Sequence, residues 1–311
     1  MEDFKLDYQE LMSTLDEIYE ASNQDLSQEN ANTNGSSPTG KMSLVSGVAS
    51  KEYARKFLDD DVLEAFDKGY IHCHDFDYFA AKTLTCCQIP LGKLLKNGFK
   101  IGNCFIREPQ SIETAVQLMA IILQSNQNMQ HGGQSIPNTD FDLAPYVTKS
   151  FEKNYKEILY TLDMVNGQKD VDLGEVEKLA WKKTEEQTMQ AMEAFVHNAN
   201  SMLCRNGSQV PFVSVNFGLD TSKEGRMISR CLMRAQYHGL GDGSTPIFPI
   251  LIFKLKKGIT SEKGNPNYDL YLQALKTSAK RLFPTYVNVD APFNLEHFDP
   301  KHPENAIAVM G

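Results

Sequence analysis

Across residues 6–20 the apolar positions Leu6, Leu11, Leu15, Ile18 and Tyr19 recur at helical spacing, and residues 27–41 are a run rich in Asn, Ser and Gly. The pattern predicts a helix followed by a long loop. Over residues 50–68, Tyr53, Phe57, Leu58, Val62, Leu63 and Phe66 predict one helix or two short ones, with Ser50 as N-cap and Gly69 at the stop. Behind Pro109 and Ser111, a stripe of Ile112, Ala115, Val116, Met119, Ile122 and Leu123 predicts a helix that Gly132 and Gly133 end. Glu113 falls in its first turn, where the helix dipole favours an anion. A second long pattern covers about 176–203, and its Trp181, Met189, Met192, Phe195 and Val196 read as core rather than a cofactor box. Short β-rich runs at 211–217 and 247–255 each follow a turn signal, Asn206-Gly207 and residues 239–244. Long helices alternating with short buried strands predict an α/β fold, a helix-wrapped sheet of the barrel kind.

Length and composition narrow the function classes. A chain of 311 residues accommodates one large domain with appendages or two domains. With 41% hydrophobic and 23% charged residues and no apolar run near the ~18 residues of a membrane span, a transmembrane segment is not expected. The opening MEDFKLDYQE lacks a secretory pattern. These features predict a cytoplasmic protein. Lys and Arg total 31 against 40 Asp and Glu, a net charge of -9, which disfavours nucleic acid as a partner. Small phosphorylated ligands need only a few local cations and stay open. Six cysteines without a CxxC pair predict reduced thiols and no four-Cys zinc site, and no metal is expected in this chain.

The densest chemistry is His72-Cys73-His74-Asp75, with Asp77 beyond it. In an extended segment His72 and His74 share one face and Cys73 and Asp75 the other. Two imidazoles on one face suit a metal or a polar ligand, so a metal-dependent hydrolase competes, although it needs further ligands and His131, His197 and His238 have no strand-end context. Two histidines satisfied by backbone partners at a barrel rim are the plain alternative. Cys86 and Cys87 are either a working thiol with its neighbour or two small buried hydrophobes, and the residues alone favour burial. Gly239 to Ser244 and His131 to Ser135 match neither phosphate-loop fingerprint and read as turns. Lys149 and Lys153, four apart, face one way on a helix and suit a phosphate or a solvated surface equally.

Taken together, IHCHDFDYFAAKTLTCCQIPLGKLLKNGFKIGN, REPQSIETAVQLMAIILQSNQNMQHGGQSIPNTDFDLAPYV, GSQVPFVSVNFGLDTS, GLGDGSTPIFP and PTYVNVDAPFNLEHFDPKHPENAIAVMG resemble the anaerobic, glycyl-radical class of ribonucleotide reductase, from about Glu29 to Gly311 and in order. The resemblance implies half of a ten-stranded α/β barrel with long helices outside the strands, in a homodimer that reduces ribonucleoside triphosphates to deoxyribonucleotides. It implies a glycyl radical made by a radical-SAM activase, a thiyl radical derived from it, and in many members formate as reductant. Carried onto this sequence, His72, His74 and Asp75 fall at the substrate pocket. Cys86 is the reductive cysteine, with Cys87 beside it where the family has a single cysteine after Asn and this chain has Thr85. Ser214, Asn216, Gly241 and Gly243 are expected at the substrate. Lys153, Lys149, Arg107 and Ser111 are expected at an effector site for deoxyribonucleoside triphosphates or ATP.

The departures imply a division of the chain. Residues 1–50 form a helix and loop where an ATP-cone is absent or truncated, and residues 51–311 form the N-terminal part of the barrel, ending before the thiyl loop. Members run to about twice this length. The expectation is a portion that does not turn over alone and that pairs as a dimer or with a missing C-terminal half, because an uncovered strand edge has unsatisfied backbone groups.

Overall fold

The apolar runs of the middle and end of the chain become strands. In the computed structural model, which describes residues 8–20, 37–84, 86–166, 171–205 and 209–310, seven strands are present among the described residues. They are β1 (Cys86–Gln88), β2 (Phe99–Ile101), β3 (Cys104–Ile106), β4 (Gly133–Ile136), β5 (Val213–Phe217), β6 (Ile250–Leu255) and β7 (Thr285–Asn288). Five align in the order β1-β4-β5-β6-β7, and the pairs from β4 to β7 are parallel. β2 and β3 form a separate antiparallel pair. Every residue of β5 is buried, as a parallel strand covered on both faces requires.

The helices are α1 (Tyr8–Glu20), α2 (Pro38–Ala54), α3 (Asp60–Asp67), α4 (Phe76–Phe79), α5 (Leu91–Asn97), α6 (Ile112–Gln127), α7 (Thr139–Asn166), α8 (Leu173–Ser201), α9 (Lys223–His238), α10 (Tyr268–Arg281) and α11 (Pro292–Leu295). The expected helices at 6–20, 112–130 and 176–203 are found as α1, α6 and α8. Gly69 follows α3 at φ +71°, the left-handed stop that glycine permits. Ser50 is not an N-cap: it lies inside α2, where its hydroxyl donates to the Asp77 carbonyl. The cap is Ser37, whose Oγ accepts the Gly40 N–H at 3.0 Å, with Pro38 at the first helical position. Residues 38–41 of the expected loop are therefore helical, and residues 27–36, like the Asn206-Gly207 turn, lie outside the described residues. Gly133 does not end a helix but opens β4.

The chain divides into two compact units, one of Met1–Cys86, Gln124–Gly132 and Met202–Pro211, the other of Cys87–Leu123, Gly133–Ser201 and Phe212–Gly311. In the second, Met192, Phe195 and Val196 of α8 are buried with Ile228, Leu232 and Met233 of α9 against Val215, Leu251 and Phe253 of the sheet. Trp181 and Met189 pack on this core. The Trp181 ring of α8 stacks on Phe151 of α7 at 4.1 Å, with the Lys223 Nζ of α9 over it at 3.6 Å. These are core roles, as the spacing predicted.

Candidate functional site

In the first unit the His72–Asp75 segment is not extended. Residues 74 and 75 form a turn into α4, and Asp75 has φ +53°, in the left-handed region, so strand alternation does not apply. The cause is aromatic packing: Phe76, 4% exposed, sits between Phe66 and Phe79 at centroid distances of 4.9 and 5.8 Å and draws the chain into a helix. His72 and His74 are both exposed, and His74 Nδ1 lies 2.7 Å from Asp75 Oδ2. Among the described residues no group of three or more His, Cys, Asp and Glu gathers at metal-ligand spacing.

Asp75 instead meets a residue the sequence had set aside. Its Oδ1 lies 3.2 Å from His131 Nε2. The His131 ring stacks on Tyr78 at 3.6 Å, and the His131 backbone N–H donates to Thr83 Oγ1 at 3.1 Å. Arg205 brackets the same residue, Nε donating to the His131 carbonyl at 3.1 Å and one terminal nitrogen lying 3.1 Å from the ring's Nε2. Gln209 Oε1 accepts from the other. Burial and the neighbouring Arg205 hold the His131 pKa below its usual value, against the pull of Asp75. The Arg205 nitrogen beside the ring also lies 3.4 Å from its Nδ1, so a neutral imidazole with its proton on Nε2 donates to Asp75 and leaves Nδ1 to accept from the guanidinium. The Gln127 amide fixes the turn by donating to the carbonyls of Gln130, His131 and Gly132 at 3.3, 3.4 and 3.1 Å. Beside the cluster lies a cavity of about 640 Å³. A histidine next to Gly-Gly was the only signal for His131; Arg205 gave none.

The second unit gathers polar groups on the sheet. Asn216 of β5 is fully buried, and its Nδ2 donates to Ser135 Oγ at 2.9 Å and to the Val309 carbonyl at 2.9 Å. Val309 N–H returns to Asn216 Oδ1 at 3.1 Å. Ser135 Oγ donates to the Val309 carbonyl at 3.2 Å, Gln88 Nε2 to that of Ala308 at 3.2 Å, and Lys254 Nζ to that of Ala306 at 3.3 Å. Residues 306–309 are thus pinned by side chains from β1, β4, β5 and β6. Ser214 is buried on the same strand as Asn216.

Lys254 is 2% exposed and also donates to Asn138 Oδ1 at 2.8 Å. Burial lowers its pKa to about 8, partly offset by Asp140 and Asp142. Burial raises the Asp140 carboxyl despite backbone N–H bonds from Gly218 and Asp220, and raises Asp142 to about 7. A lysine within the apolar run ILIFKL was a signal for this position, because an ammonium in a buried strand needs partners.

Cys86 and Cys87 are not a buried pair. Cys86 is exposed and Cys87 half-buried, packed against the core, and strand alternation puts Cys86 on the same side of β1 as Gln88. The buried cysteine is Cys231, whose thiol burial raises to about 12. Of the residues expected at an effector site, Lys149 Nζ lies 2.7 Å from Glu108 and 3.3 Å from the Pro109 carbonyl, while Ser111 Oγ accepts the Thr114 N–H at 3.3 Å and caps α6. Lys153 and Arg107 are exposed. Gly241 and Gly243 lie in an exposed turn, Gly243 at φ +80°. Arg281 holds that turn, donating to the carbonyls of Tyr237, His238 and Gly243 at 3.0, 2.8 and 3.0 Å. No described helix is long and apolar enough to cross a membrane.

The family described as anaerobic ribonucleoside-triphosphate reductase matches residues 29–311. Curated relatives of that name include one from Haemophilus influenzae, 35% identical over 284 residues that make up 90% of this chain and 39% of the relative. Another, from Enterobacteria phage T4, is 34% identical over 268 residues, 86% of this chain and 42% of the relative. The chain therefore spans about two-fifths of the length of these relatives. Among solved structures, the anaerobic ribonucleotide reductase from Thermotoga maritima in complex with dATP and CTP superimposes with a TM-score of 0.56 at 14% identity, covering 94% of this chain and 51% of that one. The same enzyme with citrate in the active site gives 0.57 at 13% identity, covering 95% and 57%. At such identity the likeness establishes the fold, and it is the α/β architecture of parallel strands and long helices expected above.

Proposed function

Since this chain belongs to the anaerobic ribonucleoside-triphosphate reductase family, we propose that residues 51–311 furnish the first half of a reductase barrel, with residues 1–50 as a leading appendage. The whole enzyme, in this reading, reduces ribonucleoside triphosphates to deoxyribonucleoside triphosphates in the cytoplasm as a homodimer. A radical-SAM activase generates a glycyl radical outside residues 1–311, and formate serves as the outside reductant. Effectors such as dATP bind near Ser111, Arg107, Lys149 and Lys153.

One observation carries the reading: residues 306–309 are seated on the sheet by Asn216, Ser135, Gln88 and Lys254. A segment held there at four strands delivers whatever follows it to the strand side that Gln88 and Cys86 share. Reduction of a ribose 2′ position requires a group that first gives a proton to the departing hydroxyl, which leaves as water, and then a hydrogen atom to carbon. Cys86 is assigned both steps, its thiolate regaining a proton between them. Formate, oxidised to CO2, returns a hydrogen atom to the resulting thiyl and gives the substrate the second electron. A carboxyl gives only the proton, and Cys87 supports the strand. From the resemblance, Ser214, Asn216, Gly241 and Gly243 are assigned to substrate placement, as are His72, His74 and Asp75.

The test is anaerobic turnover of CTP with activase and formate. Residues 1–311 alone are expected to give no dCTP, and the same sequence joined to the remaining length of a relative to give it. Cys86→Ser in the joined protein is expected to abolish product. Turnover by the isolated chain, or an unimpaired Cys86→Ser protein, refutes the proposal.

A further inference from the structure

β6 reads Ile-Leu-Ile-Phe-Lys-Leu, and its one charged side chain, Lys254, is 2% exposed. Burying an ammonium costs free energy, and an apolar residue of similar volume in such a place is often no less stable. Stability of the strand therefore gives no reason for a lysine here. Its Nζ donates to Asn138 Oδ1 at 2.8 Å and to the Ala306 carbonyl at 3.3 Å, with Asp140 and Asp142 acting on its charge from α7. One side chain thus joins β6, the start of α7 and the segment 306–309.

The two acceptors differ in how firmly they are held. The Asn138 carbonyl accepts the Asp142 N–H at 2.8 Å, and Asp140 Oδ2 accepts the N–H groups of Gly218 and Asp220 at 2.8 and 3.0 Å, which clamps the start of α7 to the end of β5. Asn138 is therefore a fixed anchor for the ammonium. Residues 307–310, by contrast, are neither helix nor strand. The side-chain bonds from Gln88, Ser135 and Asn216 meet this segment at residues 308 and 309, whereas that of Lys254 meets it at 306. A segment bonded at one place pivots about it; bonded at two, it has a direction. Ala306 also packs with Leu219 and Val289, but apolar contact is non-directional.

We propose that Lys254 is a positioning residue for the reaction, holding Ala306 while Asn216 holds Val309 and so fixing the direction in which the chain crosses the sheet. The bond to Asn138 is what makes it effective: with the ammonium anchored on α7, movement of residue 306 breaks the contact instead of carrying the lysine along. The hold is a property of these bonds alone. Its bearing on catalysis rests on the reductase reading, in which the chain after residue 309 leads into the thiyl loop. A reacting group displaced by about 1 Å loses up to about a hundredfold in rate.

The hold is tested by hydrogen exchange of the full 311-residue chain at neutral pH, read by mass spectrometry on peptides covering residues 303–310. Lys254→Met keeps most of the volume and is expected to speed exchange there about tenfold, with the peptides of β5 and β6 unchanged. Lys254→Arg keeps the charge and the donors, and is expected to stay within about threefold of the unsubstituted chain. In the joined protein, Lys254→Met is expected to lower kcat for CTP about tenfold and to leave KM unchanged, with Lys254→Arg recovering most of the loss. Asn138→Ala is expected to show the same changes more weakly and to add nothing to Lys254→Met, because both remove one linkage. It takes the place of Lys254→Met should that variant not fold. Unchanged exchange at 303–310, or loosening that spreads equally to β5 and β6, overturns the hold. An unchanged kcat, or a loss that Lys254→Arg does not recover, overturns the positioning role. An unsubstituted joined protein without turnover overturns the reductase reading, while the exchange still decides whether Lys254 holds the segment.

Discussion

Asn216 and Val309 hold each other through both ends of one amide, the side chain donating to the Val309 carbonyl at 2.9 Å and accepting its N–H at 3.1 Å. Asn216→Leu keeps the volume and removes this pairing together with the bond to Ser135. The loss is expected to cost about 2–4 kcal/mol in urea unfolding and to speed hydrogen exchange at the Val309 amide. An unshifted midpoint with unchanged exchange rules out the clasp.

The buried ionisable groups near Asn138 set a pH dependence. Asp142 is raised from 3.8 to about 7, chiefly by burial. The folded state then holds a proton that the unfolded chain releases, so stability falls as pH rises from 3.8 to about 7. Lys254 is lowered from 10.5 to about 8, so across that upper window the unfolded chain binds more protons and stability rises with pH. Asp142→Asn is expected to flatten the lower limb and Lys254→Met the upper one, measured as urea midpoints against pH.

His131 predicts a third pH effect. Its pKa is depressed by burial and Arg205, so as pH falls below the usual 6.5 the unfolded chain takes up protons that the folded chain refuses, and stability declines. His131→Gln removes that acid-side loss. A variant whose stability still drops as steeply through this range would assign the loss to other groups.

Thiol labelling separates the cysteines. With a maleimide at neutral pH, Cys86 and Cys104, both exposed, are expected to react first and half-buried Cys87 later. Cys231, buried and raised to about 12, is expected to react about a thousandfold more slowly than an ordinary thiol until the chain unfolds.

Arg281 is 6% exposed and holds the 239–244 turn through the backbone oxygens of Tyr237, His238 and Gly243. Arg281→Lys cannot span three carbonyls and is expected to cost about 2–3 kcal/mol, with faster exchange confined to that turn. Global loosening, or none, would show that the turn is held by something else.

The parts of this fold that were legible are those where local pattern and tertiary environment agree. The stripe of α6 and the apolar residues of α8 each face a core, and the β-rich runs of β5 and β6 are buried along most of their length. β4 was hidden because Gly-Gln-Ser-Ile has no strand signature of its own. Its pairing comes from β5, with Gln134 N–H donating to the Phe212 carbonyl at 2.9 Å and its side chain to that of Leu123 at 2.9 Å. α7 was obscured by Asp140 and Asp142, which suit its first turn, and by Pro145, which lies inside the helix and argues locally against it. At the candidate site, the turn at Asp75 depends on where Phe66 lies, a contact ten residues away that alternation cannot express. The link from Asp75 to His131 and Arg205 joins segments far apart in the chain, which no local motif encodes.

The chain has a single tryptophan, and Trp181 is wedged between the Phe151 ring and the Lys223 ammonium. Three helices therefore converge on one fluorophore. Its emission reports whether α7, α8 and α9 stay together, without any label, and a change in that signal on denaturation dates the parting of this helical layer from events elsewhere in the polypeptide.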